Sequence, residues 1–319
     1  MPDRSPQRLV PHNLLQVQKL RDMARAPVLS PRDAVMTATQ LVNHGFAEAP
    51  EMIARLRRQL SNIAVQEYLD QIENRFRAIA ALRHRDSIMA DRQLMHRLYH
   101  PEEPVFVRNP SGKGGLMLAL ATMFNNFQVS NAIFAAVLLE LGHSVLILKD
   151  CTDFGYLKGV PGLGTDPEAL ARWVEGFMAR QGFDQLHIAG FSSSGFAALL
   201  VSAMLRCDSC ICFSPLTDLA AGSLLPQPGY LTQALRQQID ARFLCNLATR
   251  FEKGELVTPR TIVFGDQSAA DGRHARNLLG LPGMQLVEVE NCGHQTPGTL
   301  LERGRLLDVL RQAGAPAAM

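Results

Sequence analysis

Leu186-His187-Ile188-Ala189-Gly190-Phe191-Ser192-Ser193-Ser194-Gly195-Phe196-Ala197-Ala198-Leu199-Leu200 reads as a short apolar strand, a tight turn of small residues and an apolar helix. A serine at the tip of such a strand-turn-helix sits on a strained backbone with its hydroxyl exposed. The crowded turn demands small residues two positions before and two positions after the tip. With Ser192 at the tip these are Gly190 and Ser194. With Ser193 the earlier one is Phe191, and with Ser194 the later one is Phe196. Only the first register fits, so Ser192 is the candidate nucleophile. The helix behind it would aim its N-terminal N–H groups at the reacting centre. Ser194 departs from the pattern G-x-S-x-G, because its Cβ must find room where glycine is usual. The competing reading is a serine-rich turn that only caps a helix.

Composition bounds the alternatives. The chain has 319 residues, is 47% hydrophobic and carries a net charge of +2. That length suits one large domain, or one domain with an appendage. A near-neutral balance gives no case for nucleic acid or acidic lipid as a general partner. Residues 1–8 lack the apolar core of a signal peptide, and the best apolar run, Leu116 to Phe124, is too short to span a bilayer. Six scattered cysteines, Cys151, Cys207, Cys210, Cys212, Cys245 and Cys292, fit reduced structural thiols in a cytoplasmic protein. Cys207, Cys210 and Cys212 run into a strand with no second CxxC or histidine pair, so no metal knot is expected.

Along the chain, residues 1 to about 30 read as a partly ordered lead-in. Ser30-Pro31 starts a helix that ends near Asn43-His44-Gly45. Ile53, Leu56, Leu60 and Ile63, then Val65, Leu69, Ile72, Phe76 and Ile79, form an apolar stripe on one helix or two consecutive ones. The other face carries Arg55, Arg57, Arg58, Arg75, Arg77, Arg83 and Arg85, interleaved with acids, and reads as solvated. Near Pro101 the period changes. Val105 to Val107 and Leu116 to Ala121 read as a hairpin around Asn109 to Gly115, where Gly112-Lys113-Gly114 lacks the full phosphate-loop pattern.

Beyond it, helices from about Ser130 to Leu141 and Pro167 to Arg180 alternate with strands at Ser144 to Lys149, Cys210 to Phe213, Thr261 to Phe264 and Met284 to Val289. A final helix spans about Gly298 to Gln312. This rhythm predicts a mainly parallel sheet with helices on both faces. Leu216 to Arg260 interrupts it and reads as a long helical insertion, a candidate lid. Asp153-Phe154-Gly155 lacks the other kinase motifs; Asp153 and Tyr156 are candidate pocket residues on a loop after a strand.

A serine hydroxyl needs a base, and the base an orienting acid. Both follow in order. The strand ending at Phe264 opens into a loop with Asp266 and Asp271, and the last strand opens into Cys292-Gly293-His294. His274 reads as a surface residue, and His187, within the elbow strand, as a satisfied core residue. On Gly190 to Gly195, the acid loop and Cys292-Gly293-His294, residues 105–319 resemble the α/β-hydrolase family. The resemblance implies Ser192 as nucleophile, His294 as base and Asp271 as acid, with Asp266 the alternative. It also implies an oxyanion hole from the N–H of Ser193 and one from the loop after the Leu116 strand, where Thr122, Met123 and Phe124 are available and Met123 is taken.

The resulting expectation is an α/β-hydrolase-like domain over residues 105–319, behind a helical region over 1–104. Its activity would be cleavage of a carboxylic ester or thioester through an acyl-serine, with a small-molecule or carrier-linked acyl substrate and no cofactor or metal. Acyl transfer to another acceptor, or a non-catalytic scaffold, stay open. The N-terminal helices could also serve a homo-oligomer or a protein partner.

Overall fold

The computed structural model describes residues 14–26, 29–112, 114–150, 152–253 and 258–314. Its first part is helical: α1 (Leu14–Arg25), α2 (Pro31–Asn43), α3 (Ala49–Gln59), α4 (Ile63–Ala80), α5 (Arg85–Ala90) and α6 (Arg92–Tyr99). Helix α1 lies where only a lead-in is expected; Val17 is its buried residue, and Leu15 stays exposed. Ser30 caps α2, its hydroxyl accepting the N–H of Asp33, with Pro31 at the first helical position. The apolar stripe breaks into two helices, since Leu60 is extended and Asn62 caps α4 by accepting from Val65 N. Leu56, Leu69, Ile72 and Ile79 are buried, whereas Ile63, expected in the stripe, is 76% exposed at the start of α4.

The sheet contains β1 (Val105–Val107), β2 (Leu116–Leu120), β5 (Ser144–Leu148), β6 (Leu186–Phe191), β7 (Ser209–Phe213), β8 (Arg260–Gly265) and β9 (Met284–Val289), in the order β1-β5-β2-β6-β7-β8-β9. All neighbours are parallel except β1 with β5. A small ribbon of β3 (Asn126–Phe127) and β4 (Val129–Ser130) follows β2. The expected β1–β2 hairpin is therefore corrected: β1 pairs with β5, which lies between them. Asn109 accounts for the difference. Its N–H donates to Ser144 Oγ (3.0 Å), and its amide donates to Leu139 O (2.9 Å) and His143 O (3.3 Å). These bonds fasten the connection to the turn before β5. Lys113 and Cys151 lie outside the described residues.

Alternation along the strands separates two cores. Leu116, Leu118, Leu120, Ile188, Cys210 and Ile262 face α8 (Pro167–Gln181), α9 (Ser193–Ser202) and α12 (Ala269–Arg276). On the opposite face, Met117, Ala119, Ala189, Ile211 and Val263 meet α7 (Asn131–Glu140), α13 (Thr296–Glu302) and α14 (Leu306–Gly314). The N-terminal helices join this second core as an outer layer over α7 and α13. Most of the stripe is thus buried or half-buried within its own chain, Ile63 excepted. The expected final helix is two, broken at Gly304 with φ +66°.

Between β7 and β8 the insertion is less helical than expected. It holds α10 (Gln233–Arg236), a single tight turn at Ala241–Phe243 and α11 (Leu247–Lys253) among irregular loops. Leu219, Leu231, Ile239, Phe243 and Leu247 anchor it in the core on the α9 side of the sheet. The described cysteines are free thiols; Cys207, Cys210 and Cys212 are buried. Among the described residues no group of three histidine, cysteine or acidic side chains is arranged to hold a metal, and no helix is long and apolar enough to cross a membrane.

Arg75 departs furthest from the expected solvated face. Arg57 and Arg77 pair with Asp70 and Glu73 at the surface, but Arg75 is 5% exposed. It donates to Asn43 Oδ1 (2.6 Å) and is ion-paired with Glu302 of α13. Breaking a buried pair strands the partner's charge, at a cost of about 3 kcal/mol or more. Arg75→Met should therefore lower the unfolding free energy by about 3 kcal/mol in urea titrations, and adding Glu302→Leu should recover much of it. A loss below about 1 kcal/mol for the single variant would contradict this account.

Candidate active site

Ser192 joins β6 to α9 with φ +53° and ψ −115°. A residue with a Cβ rarely adopts positive φ, and this ψ lies outside even the left-handed helical basin. The surroundings hold it there. Ser192 N donates to Phe213 O (2.9 Å) on β7, and Gly195 N donates to Ser192 O (3.0 Å). A Cβ on Gly190 would lie 2.7 Å from Ala198 Cβ, and one on Gly195 would lie 2.6 Å from Pro215 Cβ. Glycine is thus required at 190 and 195. Ser194 fits its buried place by bonding: its hydroxyl donates to Leu120 O (2.6 Å) and accepts from Phe191 N (3.1 Å).

The two loops after β8 and β9 bring the other predicted residues to this tip. His294 Nε2 is 2.8 Å from Ser192 Oγ. Its Nδ1 is 2.9 and 3.1 Å from the two carboxylate oxygens of Asp271. A carboxylate only accepts, so Nδ1 carries the proton and Nε2 is left to accept from the serine hydroxyl. Asp271 is buried in the first turn of α12, which Ser268 caps. The imidazole remains 46% exposed and stands 5.5 Å from the Phe191 ring.

Asp266, the alternative acid, is engaged elsewhere. Its two oxygens accept from Asn291 N and Cys292 N, each at 3.0 Å. These backbone N–H groups hold its carboxyl below the usual aspartate range. It fastens the turn that delivers His294, where Asn291 adopts φ +48°. Ser214, not singled out in the sequence, also holds this loop: its hydroxyl donates to His294 O (3.0 Å). Gln128 is another such residue. Its amide donates to Gln295 Oε1 (2.7 Å) and accepts from Gly298 N (2.7 Å). No residue type or spacing marks Ser214 or Gln128 in advance, because their partners lie 80 and 167–170 positions away.

His274, expected at the surface, is only 1% exposed. Its Nδ1 accepts from Thr217 N (3.1 Å), and its Nε2–H donates to Pro226 O (2.9 Å), tying the insertion to α12. Burial, the largest influence on it, lowers its proton affinity. His187 is buried as expected, beside Ser209 Oγ at 2.8 Å. Tyr156 does not line an open pocket. It is buried, and its hydroxyl lies 2.7 Å from Ala121 O and 2.9 Å from Leu148 O, bracing the ends of β2 and β5. Asp153 is half-buried on the same loop.

Ser193 and Met123 come together at the other side of the tip. Met123 N lies 3.4 Å from Ser193 Oγ, a long contact. The neighbouring amides are used inside their own loop: Thr122 N donates to Asn126 O (3.0 Å), and Phe124 N donates to Thr122 Oγ1 (3.3 Å). Of the three amides available after β2, Met123 N–H is thus the one turned to the elbow. Ser193 N–H, first in α9, has no acceptor within the helix.

No family model and no curated protein sequence matches the chain. Solved structures do resemble it. Carboxylesterase CesB from Bacillus subtilis is 15% identical, with 76% of this chain and 100% of that chain covered and a TM-score of 0.43. MenH from S. aureus is 13% identical, with 66% and 99% covered and a TM-score of 0.45. A meta-cleavage product hydrolase from Pseudomonas fluorescens IP01 is 14% identical, with 66% and 94% covered and a TM-score of 0.46. The assignment rests on the strands and the elbow themselves. A largely parallel sheet, a strained serine at the end of its central strand, and the chain order Ser192, Asp271, His294 give this chain the α/β-hydrolase fold.

Proposed function

We propose that the protein is a serine hydrolase that cleaves a carboxylic ester or thioester through an acyl-serine. One observation carries this reading: the unbroken chain of hydrogen bonds from Asp271 through His294 to a serine held on a strained turn. In this reading Ser192 Oγ attacks the carbonyl carbon while His294 Nε2 takes its proton. Asp271 keeps the imidazole in the required tautomer and stabilises the imidazolium. The negative oxygen of the tetrahedral intermediate faces the N–H groups of Ser193 and Met123. His294 then returns the proton to the leaving alcohol or thiol. Water repeats the sequence on the acyl-serine, releasing the acid and restoring the hydroxyl.

Residues 105–319 are the catalytic unit in this reading, and residues 1–104 a helical layer behind it. Free buried thiols suit a reducing, cytoplasmic compartment.

Ser192→Ala should abolish both fluorophosphonate labelling and turnover of a p-nitrophenyl ester, with an unchanged circular dichroism spectrum. Undiminished turnover would remove Ser192 from its role. The two carboxylates separate in steady-state kinetics. Asp271→Asn should lower kcat by about 10⁴-fold, as loss of the orienting acid does in a triad. Asp266→Asn, which disturbs only the fastening of the turn, should cost far less. The reverse ranking would move the acid to Asp266.

A further inference from the structure

The last turn of α6 is held in an unusual way. Four consecutive carbonyls, those of Arg97, Leu98, Tyr99 and His100, accept hydrogen bonds from side chains that follow β2 or β5. Lys149 Nζ donates to Arg97 O (2.5 Å) and His100 O (2.8 Å). Asn131 donates to Leu98 O (3.3 Å), and Asn125 donates to Tyr99 O (3.3 Å). Asn131 also donates to Asn125 Oδ1 (2.6 Å), joining the two amides. All three side chains belong to residues no more than 2% exposed.

Burying two amides and an ammonium group is costly unless each is bonded. A layer that only covered the apolar face of α7 would need none of them. Asn125 and Asn131 tie one segment to α6, the loop from Ala121 to Ser130 that carries Met123 N–H, and Lys149 ties the end of the neighbouring strand to the same turn. Asn125 is in that loop at φ +56°, and Asn131 opens α7 directly after it. Lys149 leaves β5, the neighbour of β2. The helix C-terminus also favours a cation at this place. At the other end of the same loop, Gln128 grips the segment after His294.

We propose that the C-terminal turn of α6 is the buried anchor of the oxyanion loop, and that Asn125, Asn131 and Lys149 are positioning residues that set Met123 N–H against the elbow. The proposal rests on the serine-hydrolase reading. An oxyanion donor acts only if it is fixed where charge develops, so a loosened loop weakens the transition state more than substrate binding.

The test uses the full chain, a p-nitrophenyl ester and a boronic acid that forms a tetrahedral adduct on a serine. The variants are Asn131→Ala, which suits a helix start, and Asn125→Gly, which keeps the positive φ while deleting the amide. Leu69→Ala, a cavity in the same helical layer that removes none of these hydrogen bonds, is the comparison. Both asparagine variants should lose kcat by about 10- to 100-fold with KM within about twofold, and bind the boronic acid correspondingly less tightly. Leu69→Ala should lower the melting temperature and leave kcat unchanged. If the asparagine variants keep wild-type kcat and boronic acid affinity, or lose no more than Leu69→Ala does, while Ser192→Ala is inactive, this proposal alone falls. Full turnover by Ser192→Ala would overturn it together with the hydrolase reading.

Discussion

The backbone at Ser192 is the constraint on which the rest of the site depends. A positive φ at a residue with a Cβ costs of order 1–3 kcal/mol and persists only where neighbours over-determine it. Here the neighbours are Phe213 O on the adjacent strand, the missing side chains at Gly190 and Gly195, and the hydroxyl of Ser194 bridging to Leu120. They are drawn from β7, from β6 and the first turn of α9, and from β2. The elbow thus forms only when β2, β6 and β7 are in register, and the local strain is supported by the packing of the whole central sheet.

From that point the site is assembled by polar fastenings more than by apolar packing. Asp266 pulls the β9 turn toward β8, Ser214 holds the carbonyl of His294, and His274 pins the insertion to α12. These bonds join loops at the C-terminal ends of parallel strands, where side chains leave the apolar interior and backbone groups lose their ladder partners. Geometry among Ser192, His294 and Asp271 is consequently fixed by residues outside this trio.

What could be read from the sequence follows from range. The elbow register, the helix cap at Ser30 and the strand-helix alternation are set by residues within a few positions of one another, and local pattern revealed them. Chain order points to Asp271 and His294, although only the structure shows that Asp271 and not Asp266 contacts the imidazole: both are acids just past one strand, and their distinct partners lie 23 to 26 residues further on. A short glycine-rich link suggests a β1–β2 hairpin, whereas the bonds of Asn109 to the turn before β5 decide the pairing. Arg75 and His274 look like surface residues in a list of neighbours. Their burial depends on Glu302 and Thr217, remote in sequence. Apolar spacing continues on both sides of Gly304 and so predicts one final helix where the structure has two.

Ser194 has a consequence for how such chains are recognised. At this position a glycine is usually read as an absence, a place where nothing may stand. Here the place is filled, and the added oxygen makes bonds that a glycine could not supply, to Leu120 O and Phe191 N. Restoring the common pentapeptide by Ser194→Gly would therefore leave a buried carbonyl and a buried amide without these partners. A search keyed to G-x-S-x-G passes over this segment, although its serine stands on the same kind of turn. The shape of the turn, carried by Gly190, Ser192 and Gly195, is a more faithful signature of the elbow than the letters of the motif.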